Sequence, residues 1–177
     1  MHRLFVALRP PFALRAQLLE AMGGVPGARW QNGDQLHLTL RFIGEVAPRE
    51  AEDIAAALAS VSHPAPEIAL AGVGAFDRKG HVHTLWAGIA ADERLLALHK
   101  RVDRALVHCG RPPETRAYKP HITLARFGRG AGPVEPFLVR AAALASAPVA
   151  LDAFFLFESR LGSDGAIYEA VARYPLR

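Results

Sequence analysis

A chain of 177 residues, 51% hydrophobic and 21% charged, carries enough apolar side chain to bury a core, which excludes a disordered chain. Its single cysteine, Cys109, excludes an intramolecular disulfide framework and a cysteine-built zinc site, and suits a reducing cytoplasm. The net charge of +4 is unevenly spread: Lys100 to Arg129 holds eight basic and two acidic residues, and the rest holds 13 basic and 15 acidic. Such a window is expected of a surface that meets anions. The apolar run at the N-terminus is short and broken by Pro10 and Pro11, unlike a signal peptide. No stretch approaches the roughly 18 apolar residues of a membrane span.

In chain order, Leu4 to Leu8 (LFVAL) reads as a strand and Pro11 to Met22 as a helix opened by proline and closed by Gly23-Gly24. Leu36 to Ile43 is β-like, and Pro48 to Val61 is a helix with acidic residues near its start. Ile68 to Phe76 and Val82 to Ala90 flank Asp77-Arg78-Lys79-Gly80, predicting a hairpin with a longer loop. Asp92 is placed to cap a helix that runs to about Cys109 and stops at Gly110, with Leu95, Leu98, Val102 and Leu106 as its apolar stripe. Arg111 to Lys119 is a loop, His121 to Phe127 a strand and Val134 to Leu144 a helix. Leu151 to Phe157 and Ile167 to Tyr174 form a closing hairpin.

One pattern occurs twice: a strand, a helix, then a strand carrying His-x-Thr-Leu. Phe5 precedes His37 by 32 residues and Trp86 precedes His121 by 35. A helix and an apolar hairpin follow each motif. The repeat reads as an internal duplication. It predicts one α+β domain over residues 1–177, built of two similar lobes related by a pseudo-two-fold. Each lobe would be an antiparallel sheet with helices outside, and the lobes would face a central cleft.

In a strand, residues two apart share a face. His37 therefore projects with Thr39, and His121 with Thr123, while Leu38, Leu40, Ile122 and Leu124 face the other way. Eight histidines and four threonines would give roughly 0.2 His-x-Thr triplets by chance, and two are present, both followed by leucine.

The motifs HLTLRFIGEV and KPHITLAR, with the opening RLFVAL, the LWAGI strand and the closing FFLFESRLGSDGAIYEAVARYPL, resemble the RNA 2′,3′-cyclic phosphodiesterase family. This family is also called the 2′-5′ RNA ligases and belongs to the two-histidine phosphoesterases. The resemblance covers nearly the whole chain. It implies a bilobal α+β fold with His37 and His121 as the paired catalytic histidines. Thr39 and Thr123 match the phosphate-binding threonines, and Arg126 matches a basic residue after the second motif. The family's assignment makes His121 the proton acceptor and His37 the donor to the departing O3′. The residues alone do not distinguish the two roles.

The chemistry suits these residue types. Opening a cyclic phosphodiester requires a base for the attacking water and an acid for the leaving alkoxide, and histidine serves either role near neutral pH. Threonine hydroxyls and a guanidinium suit the non-bridging oxygens. Arg126 breaks the strand parity of His121, so it needs a local twist or bulge to reach the same cleft, and a surface role is the alternative. The implied substrate is RNA ending in a 2′,3′-cyclic phosphate, acted on by a monomer without metal or other cofactor. The same chemistry would join tRNA halves by a 2′-5′ bond.

Rival readings are a cyclic phosphodiesterase for a small nucleotide, a binding module for RNA ends, and a metal-dependent hydrolase using His81, His83 and a carboxylate. His81 and His83 read instead as solvent-exposed loop residues or incidental RNA contacts, His99 as a packing histidine and Arg41 as a structural arginine, while Phe42, Trp86 and Phe127 build the lobes or stack a base, with core packing the default for Trp86.

Overall fold

The run Leu4–Leu8 forms most of β1 (His2–Leu8), and all five of its residues are buried. In the computed structural model, which describes residues 1–177, β1 is covered on both faces. Leu4, Val6 and Leu8 join the main core, whereas Phe5 and Ala7 join Phe157 in a small second cluster. Burial on both faces explains the unbroken apolar run where a half-exposed strand would alternate.

The remaining elements are α1 (Phe12–Ala21), β2 (Ala28–Trp30), β3 (Leu38–Val46), α2 (Pro48–Ala59), β4 (Glu67–Arg78), β5 (His81–Ala91) and α3 (Glu93–His108). They are followed by β6 (His121–Phe127), α4 (Glu135–Arg140), β7 (Val149–Ala150), β8 (Ala153–Gly162) and β9 (Gly165–Pro175). No helix is long and apolar enough to cross a membrane.

The fold is α+β, with one nine-stranded sheet in the order β7-β4-β5-β6-β3-β1-β8-β9 and β2 attached to β6. Every strand pairing is antiparallel. The two motif strands lie at the middle of this path, where β3 and β6 pair through Leu38 and Ile122 alone. The strands β1, β3, β8 and β9 lie on one side of this seam, and β4, β5, β6 and β7 lie on the other. Leu38 and Ile122 are fully buried in the main core with the α3 stripe Leu95, Leu98, Val102 and Leu106. The helices thus cover the face opposite the motif histidines.

Helix α3 begins and ends as its sequence predicts. The Asp92 carboxylate accepts a 2.9 Å hydrogen bond from the Leu95 amide, a cap worth about 1 kcal/mol. Gly110 takes φ +92°, and the Arg111 amide returns to the Leu106 carbonyl at 2.9 Å.

Strands β2 and β7 have no counterpart in the sequence reading, and two further elements differ from it. The predicted helix Val134 to Leu144 is only Glu135–Arg140. Its alanine-rich continuation is drawn onto β4 instead: the Gly72 amide donates to Leu144 O at 2.6 Å, and the Leu70 amide donates to Ser146 Oγ at 2.9 Å. Strand pairing there outweighs the helical preference of alanine. The β4–β5 hairpin is also tighter than predicted. Arg78 pairs with His81, leaving a two-residue turn at Lys79 (φ 52°) and Gly80 (φ 80°). Positive φ at both central residues marks a type I′ turn, which favours Asn-Gly. Lys79 is the one non-glycine residue with positive φ.

Lys79→Asn is therefore expected to raise stability by about 0.5–1 kcal/mol, since asparagine tolerates the left-handed region that lysine resists. Chemical denaturation of both proteins checks this, and an unchanged or lower midpoint would contradict the turn assignment.

Candidate active site

The Leu38–Ile122 pair fixes the arrangement of the motif residues. His37 and Thr39 flank Leu38, and His121 and Thr123 flank Ile122. All four belong to the face opposite the buried Leu38 and Ile122. Thr39 and His121 line one cleft together.

The two histidines are held alike. His37 Nδ1–H donates to the Gln35 carbonyl at 2.7 Å, and His121 Nδ1–H donates to the Lys119 carbonyl at 2.6 Å. A carbonyl only accepts, so both Nδ1 atoms carry the proton and both Nε2 atoms are free for chemistry. An aromatic ring of the neighbouring strand lies beside each: Phe5 of β1 is 4.8 Å from His37, and Trp86 of β5 is 6.2 Å from His121. A second ring meets each edge-on, Tyr168 at 5.1 Å and 86° for His37, Phe76 at 5.0 Å and 87° for His121. Trp86 is thus a wall of the site and only half-buried, which corrects its reading as core. It can lie there because residue 74 is glycine: a Cβ at Gly74 would stand 2.2 Å from the indole.

These surroundings disfavour imidazolium. Burial lowers the pKa of His37 to about 4, against the opposing bond to Gln35, and the positive charges of Arg126 and His121 lower it further. Burial also lowers His121, with Arg126 adding to the effect and the Lys119 bond opposing it. Without an anion in the cleft, both rings are neutral near pH 7, and His121 is the more basic.

Arg126 acts on both histidines, and a bulge explains how it reaches them. On β6, Thr123 pairs with Trp86 and Ala125 with Leu85, so Leu124 has no counterpart on β5. Leu124 and Ala125 are consecutive buried residues, and the parity of the strand inverts after them. Arg126 therefore emerges on the His121 face, paired with Thr84, and lines a cleft of about 530 Å³ with His37 and Tyr168. On β3, Leu40 is likewise skipped between Arg41 and Thr39. Arg41 pairs with Asp103 of α3 at 2.8 Å, as a structural arginine would, while also lining the cleft that holds Thr39 and His121. Phe42 takes the cleft-facing place and is 53% exposed. It lines both the His37 cleft and a second one of about 250 Å³ that holds Thr39, His121 and Lys119.

The basic window is not one surface. Arg111 is paired with Glu50, Arg116 with Glu114, and Arg101 donates to the Ser62 carbonyl at 2.8 Å. Arg104 lies opposite the buried stripe of α3, on the outer face. His99 stacks on Tyr118 at 3.9 Å as a packing histidine, and the Tyr118 hydroxyl donates to the Thr39 carbonyl at 2.9 Å. His81 and His83 are exposed beside a third cleft, and no cluster of three metal-binding side chains includes them. Sequence reasoning missed Tyr168, Phe76 and the Gln35 carbonyl, for which spacing from the motifs gave no signal.

A sequence profile of the 2′-5′ RNA ligase superfamily matches residues 10–162. The chain belongs to that superfamily. Within it, the chain is 32% identical over 187 aligned positions to an RNA 2′,3′-cyclic phosphodiesterase of Thermus thermophilus, covering 99% of this chain and 90% of the relative. It is 30% identical to a Geobacillus stearothermophilus protein of the same name over 89% of this chain, but spans only 50% of that protein's length. A relative from Aeropyrum pernix is 37% identical over 59% of each chain. Among solved structures, a Thermus thermophilus protein superposes with a TM-score of 0.81 at 28% identity, covering 99% of this chain and 98% of that one. Escherichia coli LigT in complex with 3′-AMP shares the fold at a TM-score of 0.78 and 23% identity, covering 99% and 98% of the respective chains.

The lowered His37 pKa has a definite sign for stability. The folded protein holds the ring neutral down to about pH 4, whereas an unfolded chain protonates it near 6.5. In that window the unfolded state binds more protons, so the contribution is complete above about 6.5 and is lost as pH falls through about 4. NMR titration is expected to place the His37 midpoint near 4, below that of His121, and inorganic phosphate should raise both. Between pH 6.5 and 4, Tm should fall less for His37→Gln than for the wild type. A His37 midpoint at or above 6.5 would contradict this account.

Proposed function

We propose that this chain hydrolyses RNA 2′,3′-cyclic phosphate ends to 2′-phosphomonoesters by histidine acid–base catalysis. Residues 1–177 act as one bilobal unit, a cytoplasmic monomer whose halves arose by duplication. The observation that carries the reading is the matched pair of histidines. Each is fixed in one tautomer by a carbonyl two residues upstream, each shares a strand face with the threonine two residues on, and one guanidinium acts on both. Membership of the 2′-5′ RNA ligase superfamily and likeness to several RNA 2′,3′-cyclic phosphodiesterases support it.

In the proposed reaction, His121 Nε2 takes a proton from water as the water oxygen attacks phosphorus. The P–O3′ bond breaks, and O3′ takes a proton from His37, leaving the phosphate on O2′. Thr39, Thr123 and Arg126 hold the non-bridging oxygens as their charge grows. A donor role for His37 depends on the substrate itself. With its pKa near 4 in the empty cleft, the ring is protonated at neutral pH only when a phosphate anion lies beside it. If an RNA 5′-hydroxyl replaces water, the same steps form a 2′-5′ bond, and tRNA halves are natural partners for this transesterification. The strained cyclic ester supplies the energy, so no nucleotide cofactor is needed.

The test uses an oligonucleotide ending in a 2′,3′-cyclic phosphate, with the product terminus identified. His37→Ala and His121→Ala are each expected to cut turnover by roughly two to four orders of magnitude while leaving RNA-end binding largely intact. Arg126→Ala should cost roughly two to three orders, the range for a lost transition-state anion donor. Because every proposed acid, base and anion-binding group is a side chain, activity should survive exhaustive chelation. A 3′-phosphate product, zinc-restored activity, or a wild type that binds without turnover would each overturn this reading.

A further inference from the structure

A cleft of about 860 Å³ lies between the β4–β5 turn and the Gly128–Glu135 loop, and the proposed chemistry makes no use of it. Arg78, Lys79 and Arg129 line it, all exposed and none within ion-pairing distance of a carboxylate. His81 and His83 add two imidazoles, and Glu135 is the only acidic residue in its walls. Elsewhere in the chain, Arg41, Arg111 and Arg116 are neutralised by partners. An uncompensated cluster repels itself and awaits an anion.

The turn gives a second, independent observation. Lys79 occupies a left-handed position that asparagine or glycine would fill with less strain. Strain retained at one exposed position points to a role for the side chain kept there.

The cleft also lies close to the reacting groups. Thr84 pairs with Arg126 across β5 and β6, and its hydroxyl lies 2.8 Å from His83 Nδ1. The Phe76 ring stacks near His83 at 6.4 Å and meets His121 edge-on at 5.0 Å. One aromatic residue therefore separates the cationic cleft from a motif histidine.

Resting on the proposed function, chemistry names the occupant. A 2′,3′-cyclic phosphate ties up O2′ and O3′ of the last ribose, so the rest of the strand leaves through O5′ and carries one negative charge per nucleotide. We infer that the 5′ portion of a single-stranded RNA substrate leaves through this cleft, with Arg78, Lys79 and Arg129 holding its backbone phosphates. The bases make no contribution to this grip, so it favours length over sequence.

The experiment compares a cyclic mononucleotide with a ~10-mer ending in the same cyclic nucleotide, at ~50 and ~200 mM salt. Three phosphate contacts give a slope of about −2 in log kcat/KM against log salt, so the wild type should lose roughly 20-fold on the long substrate and little on the short one. Lys79→Glu combined with Arg129→Glu should lower kcat/KM for the 10-mer by at least about tenfold and flatten its salt slope. The mononucleotide value, which also reports correct folding, should stay within about twofold, as should both values for Arg104→Glu on the outer face of α3. Equal efficiency and equal salt response on the two substrates would overturn the inference, as would equal losses on both in the double variant. If the wild type turns over neither substrate, the proposed activity fails, and fluorescence anisotropy with a 10-mer ending in a 2′-phosphate then decides about the cleft alone. Weaker binding by the double variant would uphold it, and unchanged binding would overturn it.

Discussion

The site depends on one backbone pairing, Leu38 with Ile122. It is the only point at which β3 meets β6, and both side chains are sealed in the main core. Their burial forces the flanking residues, His37, Thr39, His121 and Thr123, onto the opposite face. A shift of one residue in either strand would send the histidines into the core and the leucines into the cleft, so the same burial that stabilises the seam also selects the register. Stability and site geometry are in this respect a single constraint.

Beyond the seam, irregularity in the strands shapes the cleft. The skipped Leu124 returns Arg126 to the histidine face, and beside the skipped Leu40 Arg41 pairs with Asp103 and Phe42 comes forward. At the same offset from its histidine, one half of the site presents a guanidinium and the other an aromatic ring. The half with Arg126 gains charge, while the half with Phe42 gains an apolar divider between two clefts. Near-identical motifs therefore yield unlike surroundings, while burial, more than either neighbour, lowers the pKa of both histidines.

The electrostatic state of the empty site follows from these placements. Two rings are kept neutral by burial and by Arg126, and the guanidinium supplies fixed positive charge. An arriving phosphate anion would reverse the balance for both rings, making protonation easier when substrate is present. Elsewhere, Arg101, Arg111 and Arg116 are engaged by a carbonyl and by carboxylates, while Arg78, Lys79 and Arg129 have no carboxylate partner.

The sequence by itself determined the α+β class, most strands and helices, and the four motif residues with their shared facing. These properties are local: strand parity, apolar periodicity, Asp92 and Gly110 at the ends of α3, and a doubled His-x-Thr-Leu pattern each act over a few residues. The need for a bulge before Arg126 was also legible, because a guanidinium five residues after His121 has the wrong parity. Only the tertiary structure decided the rest. The meeting of β3 and β6, the rings of Tyr168 and Phe76 against the histidines, and the pairing of Arg41 with Asp103 join residues far apart in the chain. The short α4 has the same cause, since β4 claims a segment whose own composition favours helix. Likewise, a charge count along the chain could not separate paired arginines from free ones. Pairing, stacking and burial are set by which strands lie side by side, and no local pattern encodes that choice.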